Sequence, residues 1–357
     1  MFTGGTDVGA EHSLRQFWLS ISLTVAHARA RNRRNDCQIL FAGKIADVES
    51  VTAFAPATVS NVGCGFDVLG FALQSPGDEV TARFAGDGTV RIDDVLGDNG
   101  RLPRDAAKNT AGIAARAMLD AVGERRGVAL TIRKGLPLSS GLGGSAASAV
   151  AAVVAVDALI GSRLEIDRLL ACAFEGERSG AGSAHADNIA PSLYGGFVLV
   201  RVPNPPDIDR LPIPIGLTAV GVHPDLQLET AMARALLGDR VPLSDAVRQW
   251  ANLGAFVDAL HRSDFDLLSR SLEDTIAEPR RASLVPGLAA IKKAAADAGA
   301  LGCSLSGSGP SLFALCRDAA SASRVADAMT SAVRAHIGGE PRTYVSPISP
   351  LGAHVIS

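Results

Sequence analysis

The sequence has few cysteines and no cysteine or histidine pattern that marks a metal site. Its 5 cysteines are scattered and never form a CxxC pair, and its 7 histidines lack an HExxH or other paired spacing. These absences argue against a disulfide framework and against a thiolate or zinc-type metal site. Isolated cysteines suit a reducing compartment best, and we therefore predict a cytoplasmic protein.

The sequence also lacks an excess of positive charge and any apolar run long enough to cross a membrane. Its 34 Lys and Arg residues face 37 Asp and Glu, for a formal net charge of -3, so neither nucleic acid nor another polyanion is an expected partner. Apolar stretches such as Ala146–Ile160 stop short of the roughly 20 residues of a membrane span. With 47% hydrophobic but only 4% aromatic residues, the composition is typical of a soluble globular protein.

The first 47 residues differ from the rest of the chain. A mildly apolar stretch, Phe17–Ala28, precedes the arginine-rich run Arg29–Arg34. A secretory signal places its positive charge before the apolar region, so secretion is not expected. We interpret residues 1–47 as a dispensable extension. An organelle-targeting segment and an arginine patch for nucleic acid are the alternatives, in that order.

From Val48 onward, strand-like and helix-like patterns alternate, which predicts an α+β or α/β architecture. The predicted strands are Val51–Phe54, Glu79–Phe84, Val128–Ile132, Gly196–Val202, Cys303–Leu305 and Leu312–Cys316. The predicted helices are Asn109–Val122, Ser145–Ile160, Leu164–Glu177, Glu229–Leu237, Leu243–Leu260, Leu284–Ala298 and Ala319–His336. The proline-rich stretch Val202–Gly216 predicts a boundary between two domains, residues 48–205 and 206–357.

The glycine- and serine-rich run Pro137–Ala147, here called the phosphate loop, leads directly into a predicted helix at Ser145. Glycines let backbone amides approach a ligand closely, and a helix N-terminus favours an anion. Serine hydroxyls in the run supply further donors or a cation ligand. The run is not a Walker A loop, because no lysine follows its glycines. Taken alone, it fits either a phosphate site or a helix entry that packs closely on a sheet.

Three further runs make the pattern specific: APATVSNVGCGFDVLG at Ala55–Gly70, HADNIAPSLYGGF at His185–Phe197 and GALGCSLSGSGPSLFAL at Gly299–Leu315. Together with the phosphate loop they resemble the signature motifs of the GHMP kinase superfamily, and of its homoserine kinase branch in particular. The resemblance implies an α+β, two-domain GHMP kinase fold. Its N-terminal, ATP-binding domain would resemble domain 2 of ribosomal protein S5, and its C-terminal domain would be ferredoxin-like.

The resemblance implies a homodimer that uses MgATP to phosphorylate L-homoserine to O-phospho-L-homoserine, a step of threonine biosynthesis. Ser145 and Glu177 would ligate magnesium, with Glu175 as the alternative carboxylate. Gly144 stands where these kinases carry the first of two serines, so one hydroxyl is missing. The residues implied to contact ATP are Asn109, Pro137, Leu138, Ser139, Ser140, Gly141, Leu142, Gly143, Gly144, Ser145, Ala146, Ala147, Gly307, Ser308 and Gly309.

Homoserine carries an ammonium group, a carboxylate and a hydroxyl, so its pocket needs an acceptor and forked cationic donors. The residues that the resemblance implies for this pocket are Asn61, Asp67, His185, Arg234 and Arg281. Charge assigns the ammonium group to Asp67 and the carboxylate to the arginines. Arg280 is the weaker alternative to its neighbour Arg281.

No catalytic base is predicted. Asp187 lies in the HADN run near the proposed base of mevalonate kinases, but the homoserine kinase pattern has an asparagine there, which corresponds to Asn188. Phosphoryl transfer through a loose transition state depends mainly on positioning and charge neutralisation. We therefore predict that Asn188 orients the hydroxyl and that Asp187 is structural.

Two other functions remain open from the sequence. Another kinase of the superfamily, of the mevalonate or sugar type, is disfavoured by the asparagine of HADN and by the two arginines. A catalytically inactive nucleotide-binding regulator is disfavoured because Ser145 and Glu177 are both present.

Overall fold

The computed structural model describes residues 49–86, 88–180, 185–203 and 206–357. The predicted extension, residues 1–47, lies outside the described residues. The strands are β1 Ser50–Ser60, β2 Leu69–Ala85, β3 Val90–Leu96, β4 Gly127–Arg133, β5 Phe197–Pro203, β6 Pro206–Leu211, β7 Thr218–His223, β8 Gly302–Leu305, β9 Leu312–Cys316, β10 Arg342–Pro347 and β11 His354–Val355.

The described residues contain the following α-helices in chain order. They are α1 Thr110–Val122, α2 Gly144–Leu159, α3 Ile166–Gly180, α4 Ala186–Tyr194, α5 Thr230–Ala235, α6 Leu243–Arg262, α7 Phe265–Ser271, α8 Ala277–Arg281, α9 Leu288–Asp297 and α10 Ala319–His336. None of them is long and apolar enough to span a bilayer.

The first sheet has seven strands and carries the larger core. Its main path runs β11-β1-β2-β4-β3, and β5 and β6 extend it from the other end of the long strand β2. Helix α2 packs between β1 and β2 on one side and α1 and α3 on the other. Because α2 consists mostly of alanine and valine, both contacts are close and most of the helix is buried. This burial fixes the position of its N-terminus.

The second sheet has four antiparallel strands in the order β10-β7-β9-β8. Helices α9 and α10 pack on it around a separate core that includes Val220, Ile291, Leu312 and Val325. Helix α10 begins with a capping box in which the Asp318 carboxylate accepts from the Ser321 backbone N–H. This rigid unit holds the loop between β8 and β9.

Strand β6 bears on the predicted domain boundary. It follows directly after residue 205 yet pairs with β5 in the first sheet, whereas the second sheet begins at β7. Prolines are tolerated at the start of β6 because it is an edge strand, where backbone N–H groups need no partner. The division into residues 48–205 and 206–357 stays a prediction.

Candidate functional site

A cavity of about 530 Å³ lies where the phosphate loop meets two other loops and the start of α4. We call Asn61–Val68, between β1 and β2, the first loop, and Ser306–Ser311, between β8 and β9, the third loop. The volume suits a small ligand, since ligand sites typically measure about 300 to 1,000 Å³.

The cavity brings together nearly all residues singled out from the sequence. Leu142, Ala146 and Ala147 are the exceptions, because they are fully buried in the core behind the cavity wall. The predicted residues that line the cavity are Asn61, Asp67, Asn109, Pro137, Leu138, Ser139, Ser140, Gly141, Gly143, Gly144, Ser145, Glu177, His185, Asn188, Arg234, Arg281, Gly307, Ser308 and Gly309.

Glycine is required at two positions of the phosphate loop. Gly141 and Gly143 have φ angles of 77° and 66°, in the left-handed region. A Cβ atom on Gly143 would lie 2.0 Å from Thr58 Oγ1 and 2.9 Å from Asn188 Oδ1. At Gly144 the nearest atoms to an added Cβ are 3.6 Å away, which is ordinary contact. The helix entry therefore needs Gly143 but has room for a side chain at residue 144.

These two neighbouring glycines form a matched pair for mutagenesis. We expect Gly143→Ala to lower kcat/KM by about 100-fold, because the added carbon displaces Asn188 and strains the loop. Gly144→Ala serves as the control and should leave kcat/KM within about threefold. Steady-state kinetics of both purified variants tests this, and equal losses in the two variants would contradict it.

The three loops are hydrogen-bonded to one another. The Ser306 hydroxyl donates to the Gly141 carbonyl at 2.7 Å, and the Gly307 N–H donates to the Ser60 carbonyl at 3.2 Å. The Asn61 amide Nδ2 donates to the Gly307 carbonyl at 2.8 Å. The third loop is therefore held against both other loops, and its residues Gly307, Ser308 and Gly309 line the cavity together with the phosphate loop.

Asn109 has a structural function at the cavity edge. Its Oδ1 accepts from the Ala111 N–H at 3.0 Å and caps α1, while its Nδ2 donates to the Pro103 carbonyl at 2.9 Å. Both ends of the amide side chain are thus bonded within the protein. The predicted proximity of Asn109 to adenine stays a prediction.

Glu177, on α3, has the environment of a ligand rather than of a surface charge. Its side chain is buried, and Oε1 is the one buried side-chain polar atom of the described residues that lacks a hydrogen-bond partner. Burial raises the pKa of Glu177 to about 7, and the Ser145 hydroxyl and the Lys134 charge lower it in part. Glu175 is instead partly exposed and pairs with Arg178 at 2.8 Å. Only Glu177 reaches the cavity.

Ser145 and Glu177 fit a magnesium ion that arrives with a nucleotide. The described residues contain no group of three or more His, Cys, Asp or Glu side chains that could hold a metal by themselves. Magnesium usually takes one or two protein ligands and completes its shell with phosphate oxygens and water. A buried, unpartnered carboxylate oxygen beside a hydroxyl is the donor set that such an ion needs.

Lys134, which the sequence analysis did not single out, lies directly behind the phosphate loop. Its ammonium group is almost fully buried, forms an ion pair with Asp78 and donates to the Gly144 carbonyl at 2.6 Å. The Asp78 carboxylate also accepts from the backbone N–H of Gly135 at 3.0 Å. This pair fixes the chain on both sides of the loop. The position of a lysine just before a glycine-rich run was a signal in the sequence. The sequence does not show, however, that its partner is Asp78 on strand β2.

Asn188, at the start of α4, is oriented by two hydroxyl groups. The Thr58 hydroxyl donates to its Oδ1 at 2.8 Å, and its Nδ2 donates to Ser60 Oγ at 3.0 Å. Asp187 is buried beside it and accepts from the Asn61 N–H at 3.3 Å. Burial, reinforced by the Asp67 charge, raises the pKa of Asp187 to about 7. Asp187 thus supports the backbone of the first loop.

The two buried carboxyl groups predict how stability depends on pH. The pKa values of Asp187 and Glu177 are raised from 3.8 and 4.5 to about 7, so from about pH 4 to 7 the folded chain binds more protons than the unfolded chain. The free energy of unfolding of the ligand-free protein should therefore fall over this interval, by on the order of 3 kcal/mol per group, and level off above pH 7. Urea unfolding at several pH values measures it. Asp187→Asn should remove part of the fall, and an identical fall in that variant would contradict the assignment.

Opposite charges meet at the far end of the cavity. Arg234 on α5 forms an ion pair with Asp67 at 2.6 Å, and both side chains are partly exposed. Arg281, at the end of α8, is buried and donates to the Gly307 carbonyl at 3.1 Å. Both guanidinium groups lie 5.4 Å from the centre of the Phe66 ring. Arg280 points elsewhere and donates to the Arg240 carbonyl.

His185 lies between these charges and α4. Burial lowers its pKa, and the charges of Arg234 and Arg281 lower it further, while Asp67 opposes them. The imidazole is therefore neutral near pH 7 and offers a ring nitrogen as an acceptor.

Comparisons with known proteins first define the class. The family model for the GHMP kinases N terminal domain matches residues 109–196, and the model for the GHMP kinases C terminal region matches residues 256–335. A solved mevalonate kinase of L. major in complex with R-mevalonate has the same fold, with a TM-score of 0.64 and 18% identity over 83% of this chain and 95% of that one. The protein is an ATP-dependent kinase with the two-domain α+β fold of the GHMP kinases, as predicted.

Closer relatives define the branch. A homoserine kinase of Chlorobaculum tepidum is 45% identical over 321 residues, which cover 87% of this chain and 99% of the relative. The crystal structure of homoserine kinase from Cytophaga hutchinsonii superposes with a TM-score of 0.85 at 48% identity and covers 87% of this chain and 98% of that chain. The chain belongs to the homoserine kinase family.

Proposed function

We propose that this enzyme transfers the γ-phosphoryl group of MgATP to the hydroxyl of L-homoserine and releases ADP and O-phospho-L-homoserine. The observation that carries the proposal is the juxtaposition, in one cavity, of a glycine-rich phosphate loop with the charged cluster Asp67, Arg234 and Arg281. An amino acid zwitterion needs both an anionic and a cationic partner, and this cluster supplies them.

The phosphate loop would hold the triphosphate through its backbone amides and the N-terminus of α2. Ser145 and Glu177 would hold magnesium, which neutralises phosphate charge when it is bound with the nucleotide. The third loop, whose residues Gly307, Ser308 and Gly309 line the cavity, would close it over the transferred group. Gly144, where these kinases carry a serine, leaves Ser145 as the hydroxyl of that pair.

Homoserine would replace an ion pair that the protein forms with itself. In the ligand-free protein Arg234 and Asp67 neutralise each other across a partly exposed contact, which costs little to open. The substrate carboxylate would then pair with Arg234 and Arg281, and its ammonium group with Asp67. A ligand with only one of the two charges would leave Arg234 or Asp67 without a partner, which disfavours binding.

The chemistry needs positioning more than proton removal. The substrate hydroxyl oxygen forms a bond to the γ-phosphorus while the bond to the β-phosphate oxygen breaks, and the proton leaves to a phosphoryl oxygen or to water. Asn188, held by Thr58 and Ser60, would orient the hydroxyl. Asp187 is not assigned as a base, because its carboxylate is engaged with the Asn61 N–H.

Asp187 therefore offers a test of a mechanism without a base. We expect Asp187→Asn to retain kcat within about tenfold, because an amide preserves the buried contact to the first loop and no proton transfer is lost. A general base contributes about 10²- to 10⁴-fold, so a loss of that size would contradict the assignment. Single-turnover kinetics separates this loss from a change in substrate binding.

A substrate panel tests the proposed function. ADP release is coupled to a spectroscopic readout with L-homoserine, mevalonate, galactose and shikimate as acceptors, each at the same concentration. We expect turnover with homoserine to exceed that with the other acceptors by at least about 100-fold, because they lack the ammonium and carboxylate pair. Turnover with mevalonate or galactose and none with homoserine would establish the alternative reading instead.

The proposal extends to the pathway, the location, the oligomeric state and the domain division of the enzyme. Homoserine phosphorylation would serve threonine biosynthesis in the cytoplasm, and the enzyme would act as a homodimer, as the family resemblance implies. The division into an ATP-binding domain, residues 48–205, and a C-terminal domain, residues 206–357, completes it. Analytical ultracentrifugation tests the dimer, and a monomer at micromolar concentration would contradict it.

A further inference from the structure

Gln249 lies outside the cavity, yet its side chain forms hydrogen bonds to two segments that position residues proposed to bind the substrate. These segments are the first loop, with Asp67, and the segment that leads to Arg281. It is buried on α6, between the exposed residues Arg248 and Trp250. A long polar side chain is seldom buried unless its hydrogen bonds are satisfied. The amide of Gln249 satisfies this requirement with partners that are far apart in the sequence.

The nitrogen of the Gln249 amide bonds to the first loop and to the segment before α8. Nε2 donates to the Cys64 carbonyl at 3.0 Å and to Asp274 Oδ1 at 3.3 Å. Cys64 lies in the first loop, between Asn61 and Asp67. The Nε2 group therefore connects two segments. One is the first loop, which carries Asp67, the proposed acceptor for the substrate ammonium group, and the other leads to Arg281.

The oxygen of the same amide secures that second segment. Oε1 accepts from the Thr275 N–H at 2.8 Å. The Thr275 hydroxyl lies 2.9 Å from Oε1 and 3.0 Å from the Asp245 carbonyl, and it shares its one proton between these two acceptors. Asp274, also buried, accepts from the N–H groups of Ala277 and Glu278, both at 2.9 Å, at the start of α8. Because α8 has only five residues, its direction depends on these bonds. Arg281 is its last residue.

We propose that Gln249 is a positioning residue that holds the first loop and α8 together, so that Asp67 and Arg281 face one amino acid substrate. This inference rests on the proposed homoserine site and deepens it, because Gln249 itself contacts neither ligand. The third loop and the phosphate loop are held by other bonds, from Ser306 and Lys134. Gln249 therefore supports the amino acid half of the cavity directly, and it reaches the nucleotide half only through Gly307, whose carbonyl accepts from Asn61 and Arg281.

The variant Gln249→Met tests the proposal, because methionine matches the length and burial of glutamine but forms neither set of bonds. We expect the KM for homoserine to rise about tenfold while the KM for ATP stays within about twofold. Ser271→Ala is the matched control, since Ser271 is buried on the adjacent helix and its hydroxyl donates only within α7, to the Leu267 carbonyl at 2.8 Å and the Leu268 carbonyl at 3.1 Å. It should leave both KM values unchanged.

A milder variant covers the case in which Gln249→Met does not fold. Thr275→Val keeps the shape of the side chain and removes the hydroxyl that Gln249 shares with the Asp245 carbonyl, so the KM for homoserine should rise about threefold. Parallel rises in both KM values, or a homoserine KM unchanged in either folded variant, would overturn the proposal.

Hydrogen exchange of the ligand-free protein provides a readout that needs no substrate. In Gln249→Met, amides of both the first loop and residues 275–281 should exchange faster than in Ser271→Ala, because one bridge protects both segments. Unchanged exchange in either segment would refute the bridge even if homoserine turnover is normal. Absence of homoserine turnover in the unmodified enzyme, with exchange as expected, would instead count against the proposed function alone.

Discussion

Replacing Glu177 by glutamine should lower kcat/KM by at least about 100-fold, which corresponds to about 2.7 kcal/mol of lost transition-state stabilisation. The amide matches the carboxylate in size but removes the negative charge from the buried Oε1 and Oε2 positions. The loss should appear mainly in kcat, because charge neutralisation matters most when the γ-phosphoryl group is in transit. Steady-state kinetics over a range of magnesium concentrations measures it.

Glu175→Gln is the matched control on the same helix. Glu175 is partly exposed and pairs with Arg178 and Ser179, and solvent-accessible pairs of this kind contribute little. Its kcat/KM should stay within about twofold of the unmodified enzyme. A large loss in Glu175→Gln together with normal activity in Glu177→Gln would reverse the assignment that the structure favours.

Replacing Arg281 by methionine should raise the KM for homoserine by about 100-fold and leave the KM for ATP nearly unchanged. Arg281 is buried and donates to the Ala233 and Gly307 carbonyls, so its guanidinium group has a fixed position near the cavity. Removing one partner of a buried charge pair typically costs 2 to 5 kcal/mol. Methionine keeps much of the apolar stem, which limits the loss of packing.

Arg280→Met distinguishes the two adjacent arginines. Arg280 is half-buried, and its guanidinium group donates to the Arg240 carbonyl, away from the cavity. This variant should leave the KM for homoserine within about twofold. An increase in Arg280→Met that equals the increase in Arg281→Met would mean that overall positive charge, and not a fixed guanidinium group, attracts the substrate carboxylate.

Four strands of the first sheet could be predicted from local sequence patterns, but β1 and β2 are much longer than predicted and β3 was missed. The predicted helix at Asn109–Val122 is confirmed as α1, with Asn109 as its cap, and the predicted helix at Ser145 begins one residue earlier, at Gly144. Strand β6 was not predicted, because three of its residues are charged and it lies within the proline-rich stretch Val202–Gly216. Strand β10 was also missed, since its alternation is weak and its pairing partner, β7, lies far away in the sequence.

The residues of the candidate site also differ in whether the sequence alone could reveal them. The glycine loops could be recognised because each is a contiguous run whose backbone conformation requires glycine. Lys134 and Gln249 could not, because their partners Asp78 and Cys64 are brought to them only by the folded sheets and helices. The choice between Glu175 and Glu177 likewise required the structure. Residues two positions apart on a helix face different directions, and of these two only Glu177 is buried.

The proposed phosphorylation of the homoserine hydroxyl is tested most directly by the chemical structure of the product. The enzyme is incubated with MgATP and L-homoserine, and the product is identified by phosphorus NMR with proton coupling alongside a measurement of ADP. We expect a phosphomonoester coupled to the methylene protons beside the former hydroxyl, with one ADP formed for each phosphoester. ADP accompanied only by inorganic phosphate, or a phosphoryl group on the carboxylate or the amine, would contradict transfer to the homoserine hydroxyl.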